Sequence, residues 1–273
     1  MDTYRIKPNQ KVDLKEDFDP DHLGDWKDHK AKAEDRLADL RTELDQLQGM
    51  LYAEHKHKLL VVLQAMDTAG KDSTIRSVFE GVNPQGVRVA SFKIPTQIEM
   101  DHDFLWRIHA QAPASGEIVL FNRSHYEQVL IIRVHKLEPE PDWRLHYRQI
   151  NDFEEMLVET GTTIVKFFLN IDEDEQKQRL LDRLDTPEKQ WKFSPQDLPE
   201  RKLWPHYMEA YQEMLSQTST ERAPWHVVPA NRNWYRNLVV ATVLVDTLKK
   251  LDMHYPPAVE NLKQFRDQLE SEK

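Results

Sequence analysis

Five apolar residues in a row, Leu59 to Leu63, include two β-branched valines and are bounded by charge on one side and turn formers on the other. So short a run without polar alternation predicts a strand buried on both faces, as in a parallel sheet. Past Asp67-Thr68-Ala69-Gly70 the period changes. Ile75, Val78, Phe79 and Val82 recur at helical spacing and predict a helix from Lys71 to Val82. Upstream, Leu23, Trp26, Leu37, Leu40, Leu44, Leu47 and Leu51 predict one or two amphipathic helices between Asp21 and about Lys56, covering the sheet or a partner subunit. Residues 1–20 read as an extended arm.

Downstream, the turn formers Asn83-Pro84-Gln85-Gly86 precede a strand predicted over Val87 to Ile94, and Pro95-Thr96 leads into a helix predicted over Glu99 to Gln111. Further strands are expected at Ile118 to Phe121, Thr163 to Leu169 and Trp225 to Pro229, with helices from about Asp142 to Thr160 and from Trp234 to Leu251. Strands alternating with helices of this length predict an α/β fold whose mostly parallel, five-stranded sheet is flanked by helices. Ligands of such sheets bind beyond the carboxyl ends of the strands. That rule gathers Asp67 to Lys71, Lys93 to Thr96 and Asn122 to Glu127 at one place.

Length and the lack of internal repeats favour one large domain over two small ones. The expected division is an arm and amphipathic helices over residues 1–57, a core over 58–255 with a lid at about 172–203, and a tail over 256–273. No apolar run approaches a bilayer span, Met1 to Pro20 lacks the apolar core of a signal peptide, and there is no cysteine. The expectation is a cytoplasmic protein without disulfides, thiolate metal sites or membrane partners. A formal net charge of −10, from 47 acidic and 37 basic residues, disfavours wholesale binding to nucleic acid. Any polyanionic ligand must therefore meet a local basic patch.

Three segments supply such patches. Strand, tight turn, Gly70-Lys71 and helix are the parts of a phosphate cradle, with backbone N–H groups and the helix N-terminus facing the anion and Lys71 adding a full charge. The candidate binding set there is Ala69, Gly70, Lys71, Asp72, Ser73 and Thr74. The match to G-x-x-x-x-G-K-[ST] is imperfect: Ala65 replaces the first glycine, and Asp72 stands where a hydroxyl would hold magnesium, which leaves Asp67 as the nearest metal ligand. The same residues also suit an ordinary strand-to-helix turn with a solvated lysine. In the second segment Arg123 offers a planar fork to phosphate oxygens, and Asn122 and Glu127 flank it; the plain alternative is an Arg123–Glu127 helical ion pair worth about 0.3 to 0.5 kcal/mol. Lys93 reaches the same strand ends. The third segment carries Arg179, Arg183, Lys189 and Lys192, suited to a lid closing over phosphates, or to a solvated helix in which Glu175 pairs with Arg179. Neither the twelve histidines nor any serine forms a recognisable zinc or nucleophile motif, and Trp143, Trp191, Trp204 and Trp225 read as packing residues.

Taken together, Gln64-Ala65-Met66-Asp67-Thr68-Ala69-Gly70-Lys71-Asp72, Phe121-Asn122-Arg123-Ser124-His125-Tyr126-Glu127, and Arg183-Leu184-Asp185-x-Pro187-Glu188-Lys189-x-Trp191-Lys192-Phe193-Ser194 resemble the polyphosphate kinase 2 family over roughly residues 30–250. The resemblance implies a phosphate-loop kinase fold with a helical lid, and magnesium-dependent transfer of the terminal phosphoryl of inorganic polyphosphate to a nucleotide, with manganese as the alternative metal. Asn122 stands where many members carry aspartate. That form resembles the branch acting on both mono- and diphosphates, hence AMP to ADP to ATP. Gln128 stands where an acid is expected, and its role is left open. The implied roles are Asp67 on the metal, Lys71 and Arg123 in catalysis, and the lid cations along the phosphate chain. Adenine nucleotides, with guanine nucleotides as a second class, and a homodimer or homotetramer are the implied partners. An ATP-dependent nucleoside monophosphate kinase and a non-catalytic phosphate- or ATP-binding module are the rival readings.

Overall fold

A computed structural model describes residues 2–272. Five strands, β1 (Lys58–Ala65), β2 (Val87–Ser91), β3 (Ile118–Asn122), β4 (Thr162–Asn170) and β5 (Trp225–Pro229), form one parallel sheet in the order β2-β3-β1-β4-β5. The apolar run of β1 lies at its centre, between β3 and β4. Period-two alternation then divides the strand: Leu59, Val61, Leu63 and Ala65 enter one hydrophobic layer, and Leu60, Val62 and Met66 the other. Leu63 pairs with Asn122 on one side and Phe167 on the other, so the polar ends of the central strands finish at one level.

The helices of eight residues or more are α1 (Lys30–Glu54), α2 (Lys71–Val78), α3 (Glu127–Val134), α4 (Glu140–Glu159), α5 (Glu173–Asp185), α6 (Trp204–Thr218), α7 (Asn233–Lys249) and α8 (Leu262–Ser271). On one face α1 and α7 pack along each other, and Leu37, Leu40, Leu44, Leu47 and Leu51 are buried there, so the leucine stripe serves the core. The opposite face is covered by α3, α4 and α6. Both α3 and α6 fall where the sequence pattern above assigns no element. Among the described residues no helix is long and apolar enough to cross a membrane.

Two local expectations are corrected. The helix expected over Glu99 to Gln111 is instead two single turns, Gln97–Met100 and Trp106–His109. The first is fixed by a Thr96–Glu99 capping box, and Asp103 interrupts the run because its carboxylate accepts the Leu105 N–H at 3.0 Å. The amino-terminal arm is packed rather than free. Tyr4, Ile6, Val12 and Leu14 are buried, and the Ile6 N–H donates to the Trp225 carbonyl at 2.9 Å beside an antiparallel bridge between Arg5 and His226, so the arm covers the β5 edge of the sheet.

Candidate active site

The β1–α2 loop bends through left-handed backbone at Thr68 (φ 66°) and Gly70 (φ 100°) before α2 begins at Lys71. Position 70 needs glycine twice over: its φ is unfavourable for any side chain, and a Cβ there would lie 2.1 Å from Arg236 Nη1. Lys71 folds back over the loop, its Nζ donating to the Ala65 carbonyl at 3.0 Å. Burial, with the Arg123 charge adding to it, lowers the Lys71 pKa to about 8 against the opposing pull of Asp67, Glu127 and Asp72.

Where β3 ends, Asn122 Nδ2 donates to Asp72 Oδ1, tying the second segment to the first turn of α2. Arg123 follows in left-handed backbone (φ 63°), its N–H on the Leu63 carbonyl at 3.2 Å. Burial works against its charge, but Glu127 and Asp67 outweigh that penalty and hold the guanidinium ionised. Behind this turn the polar run is buried: Ser124, His125 and Tyr126 are each at most 2% exposed. His125 Nε2 and the Tyr126 hydroxyl meet Glu154 Oε1 at 3.1 and 2.6 Å, and Lys166 Nζ donates to Glu154 Oε2 at 2.6 Å and to Tyr126 at 2.8 Å. Burial raises the Glu154 pKa, but Lys166 and His125 more than reverse it, so the carboxylate is held below its ordinary range. The network anchors the residues that present Arg123.

The segment from α5 to the short helix Asp197–Lys202 arches over the same strand ends. Asp172 caps α5 through the Glu175 N–H at 2.7 Å. Arg183 Nη1 reaches Asp67 Oδ2 at 3.4 Å and Asp197 Oδ2 at 3.5 Å. Arg179 is engaged elsewhere, with Glu175 at 2.7 Å, the Thr68 carbonyl at 3.1 Å and the Ala230 carbonyl at 2.6 Å. Lys189 pairs with Asp182 at 2.6 Å, and Lys192 lies over the Trp191 ring, 5.2 Å from its centroid.

A cleft of about 660 Å³ results, lined by Asp67, Gly70, Lys71, Asp72, Ser73, Lys93, Asn122, Arg123, Arg179, Arg183, Lys189 and Lys192. Segments far apart in sequence thus meet where the sheet ends. Of the remaining sequence candidates, Glu127 lines an adjoining cavity, while Ala69 and Thr74 turn their side chains into the core; Thr74 Oγ1 donates to the Gly70 carbonyl at 2.9 Å. The adjoining cavity, of about 620 Å³, shares Asp67, Asp72, Ile94, Arg123, Arg183 and Lys192 with the first, and its further lining combines Ile131, Leu180, Trp191, Tyr207 and Tyr211 with Arg201 and several acids. Trp191 is 78% exposed there, unlike the packed Trp143 and Trp225. Arg76 on the cleft wall and Arg236 beneath the loop have no counterpart among the sequence candidates. Gln128, whose role the sequence leaves open, donates to Glu138 at 3.0 Å.

Among the described residues no three His, Cys, Asp or Glu side chains form a metal-holding group. Asp67 at the junction of the two cavities fits the other kind of site, in which one carboxylate and the oxygens of substrate phosphates and water hold a hard divalent cation.

A parallel sheet in this order, with a Gly-Lys turn opening the helix after its central strand and a cation-lined cleft above, defines a phosphate-loop phosphotransferase. The polyphosphate kinase 2 family model matches residues 27–256, and the chain belongs to that family. It is 56% identical to the AMP/ADP-polyphosphate phosphotransferase of Meiothermus ruber over 94% of this chain and 96% of that one. It is 43% identical to the ADP-polyphosphate phosphotransferase of Rhodopseudomonas palustris over 97% of each chain. The crystal structure of polyphosphate kinase 2 from Arthrobacter aurescens TC1 superposes with a TM-score of 0.94 at 44% identity, covering 98% of this chain and 95% of that one.

Proposed function

We propose that this chain transfers the terminal phosphoryl group of inorganic polyphosphate to AMP and to ADP, giving ADP and ATP, reversibly. The observation that carries the reading is the pair of cavities joined at Asp67, Arg123 and Arg183: cations dominate the charges of one, while the other mixes charges of both signs with the aromatic rings of Trp191, Tyr207 and Tyr211. A phosphate chain suits the first. A nucleotide suits the second, its base against Trp191, Tyr207 or Tyr211 and its phosphates directed to the junction. The names of the Meiothermus and Rhodopseudomonas relatives support the same donor and acceptors.

In this mechanism Lys71 leaves the Ala65 carbonyl for the phosphate chain, and the loop amides bind beside it. Arg123 neutralises charge on the transferred group, and Arg183, Lys189 and Lys192 close over the chain as parts of a lid over residues 172–203. A helix N-terminus contributes only about 0.3 to 2 kcal/mol toward an anion, so these fixed cations do most of the binding. Transfer is in line and without a covalent enzyme intermediate, the protein supplying position and electrostatics. Enzymes of this family generally need a divalent metal. Magnesium, or manganese in its place, would be held by Asp67 and would supply positive charge to offset that of the phosphates. Adenine nucleotides are the acceptors, with guanine nucleotides as a second class to test, the protein works in the cytoplasm, and it assembles as a dimer or tetramer.

Purified protein is incubated with AMP or ADP and magnesium, with either polyphosphate or ATP as sole phosphoryl donor. ATP formed from ADP and polyphosphate is the expected result. Turnover of AMP with ATP but not with polyphosphate overturns the reading in favour of a nucleoside monophosphate kinase, and binding without turnover overturns it in favour of a regulatory module.

A further inference from the structure

Four consecutive carbonyls of the phosphate loop are each held by a side chain. Asp67 O accepts from Gln176 Nε2 at 3.2 Å, Thr68 O from Arg179 Nη1 at 3.1 Å, Ala69 O from Arg236 Nη1 at 3.1 Å, and Gly70 O from Ser73 Oγ at 2.9 Å. In a planar trans peptide the C=O and the following N–H point in opposite directions. The Asp67 and Ala69 carbonyls, drawn toward α5 and α7, therefore turn the N–H groups of Thr68 and Gly70 away from those helices and toward the cleft, and the Gly70 carbonyl, held by Ser73 and Thr74 within α2, does the same for Lys71.

Arg236 differs from the other holders. It is 1% exposed, and its partners are all neutral: the Ala69 carbonyl, Ser73 Oγ, Asn233 Oδ1 and Asn237 Oδ1. Among the described residues no carboxylate pairs with it. A guanidinium in such a place is normally matched by an acid, because desolvating an unmatched charge is costly. Its nearest neighbour is instead the loop itself, packed into the space that glycine leaves at position 70.

We propose that Arg236 is a positioning residue for the phosphate loop, holding the Ala69 carbonyl out of the cleft and placing beneath the loop a buried positive charge whose counter-charge is the bound phosphate chain. This rests on the polyphosphate reading above. Arg236 touches no substrate; it acts through the backbone of residues 69–70 and through Ser73. The loop therefore depends on two helices: α5 through Gln176 and Arg179, and α7 through Arg236.

The test compares wild type, R236M and R236K, using tripolyphosphate binding by calorimetry, and KM and kcat for polyphosphate and for AMP. Circular dichroism and the melting temperature establish folding. R236M is expected to bind tripolyphosphate about tenfold or more weakly, as expected for loss of a buried charged hydrogen-bonding group. KM for polyphosphate should rise by a similar factor while KM for AMP stays within about twofold, a split that general loosening of the fold would not give. R236K, which keeps the charge but not the fork, should fall between the two. A folded R236M with wild-type affinity overturns the proposal. If R236M does not fold, wild-type affinity in R236K overturns it. In the wild-type protein, the Arg236 Nε–H resonance must shift when tripolyphosphate is added, and an unmoved resonance is equally fatal. Failure of the wild type to bind tripolyphosphate at all sinks the polyphosphate reading itself, whereas wild-type binding with an indifferent R236M sinks only the role of Arg236.

Discussion

Arg183 Nη1 stands 3.4 Å from Asp67 Oδ2 and so joins the overhanging arch to the loop through the carboxylate proposed to hold the metal. Burial and the nearby Asp67 charge raise the Asp197 pKa, and Arg183 opposes this from between the two acids. Arg183 thus balances the two acids at the junction, and in the proposed mechanism it would exchange Asp67 for phosphate oxygens. Asp67→Asn is expected to lower turnover by about 10²-fold or more, by analogy with loss of one preorganised electrostatic group, and to weaken the apparent metal affinity. Steady-state rates across a magnesium titration check both; unchanged metal dependence would remove Asp67 from the metal site.

Lys71 yields a pH prediction whose sign follows from its lowered pKa of about 8. Below that pH the free enzyme carries the charge that attracts phosphate, and above it the charge is lost. The ratio kcat/KM for polyphosphate, which reports the free enzyme, should therefore fall as pH rises through about 8. Lys71→Arg should remove that limb while retaining some activity, and Lys71→Ala should lower turnover by roughly 10²-fold or more. A flat profile to pH 10 in the wild type would contradict the assignment.

Trp191 lines the adjoining cavity and not the cation-lined cleft. Base stacking on an aromatic ring is worth about 1–3 kcal/mol, so Trp191→Ala should raise KM for AMP and ADP by roughly 5- to 150-fold. KM for polyphosphate should move far less. Equal increases for donor and acceptor would place the nucleotide elsewhere.

The Lys166–Glu154 pair behind Arg123 predicts a loss of stability rather than a local kinetic effect. Lys166→Met leaves Glu154 buried at 2% exposure without its cation, which should cost about 3–5 kcal/mol. Urea unfolding measures it. The double variant Lys166→Met/Glu154→Gln should recover part of that loss, since the orphaned charge is gone.

The strands and the loop were legible because they rest on local signals: an unbroken apolar run makes β1, and a change of period at Gly70 marks the turn. Convergence of Asp67, Asn122 and Arg123 followed from the parallel topology, which delivers every strand's carboxyl end to one side, whereas Arg183 reaches them from the last turn of α5. Arg236 was not legible. It lies 167 residues beyond Ala69 within an apolar helix, and nothing in its surroundings distinguishes a buried arginine from a solvated one until the loop is packed against it. Arg179 shows the converse: spacing presents it as a phosphate ligand, whereas carbonyls brought close by folding occupy most of its donors. The buried polar run after Arg123 depends in the same way on Glu154 and Lys166, which belong to other elements.

The amino-terminal arm is tied to a strand far along the sequence, and the tie has a consequence in time as well as in space. Ser219 Oγ donates to the Ile6 carbonyl across a separation of 213 residues, and the Ile6 N–H waits for Trp225. The Ile6 backbone groups therefore find these partners only after the intervening strands have been made. Closing so long a loop is an entropic burden met only once the rest of the sheet stands, which makes this segment one of the last to dock.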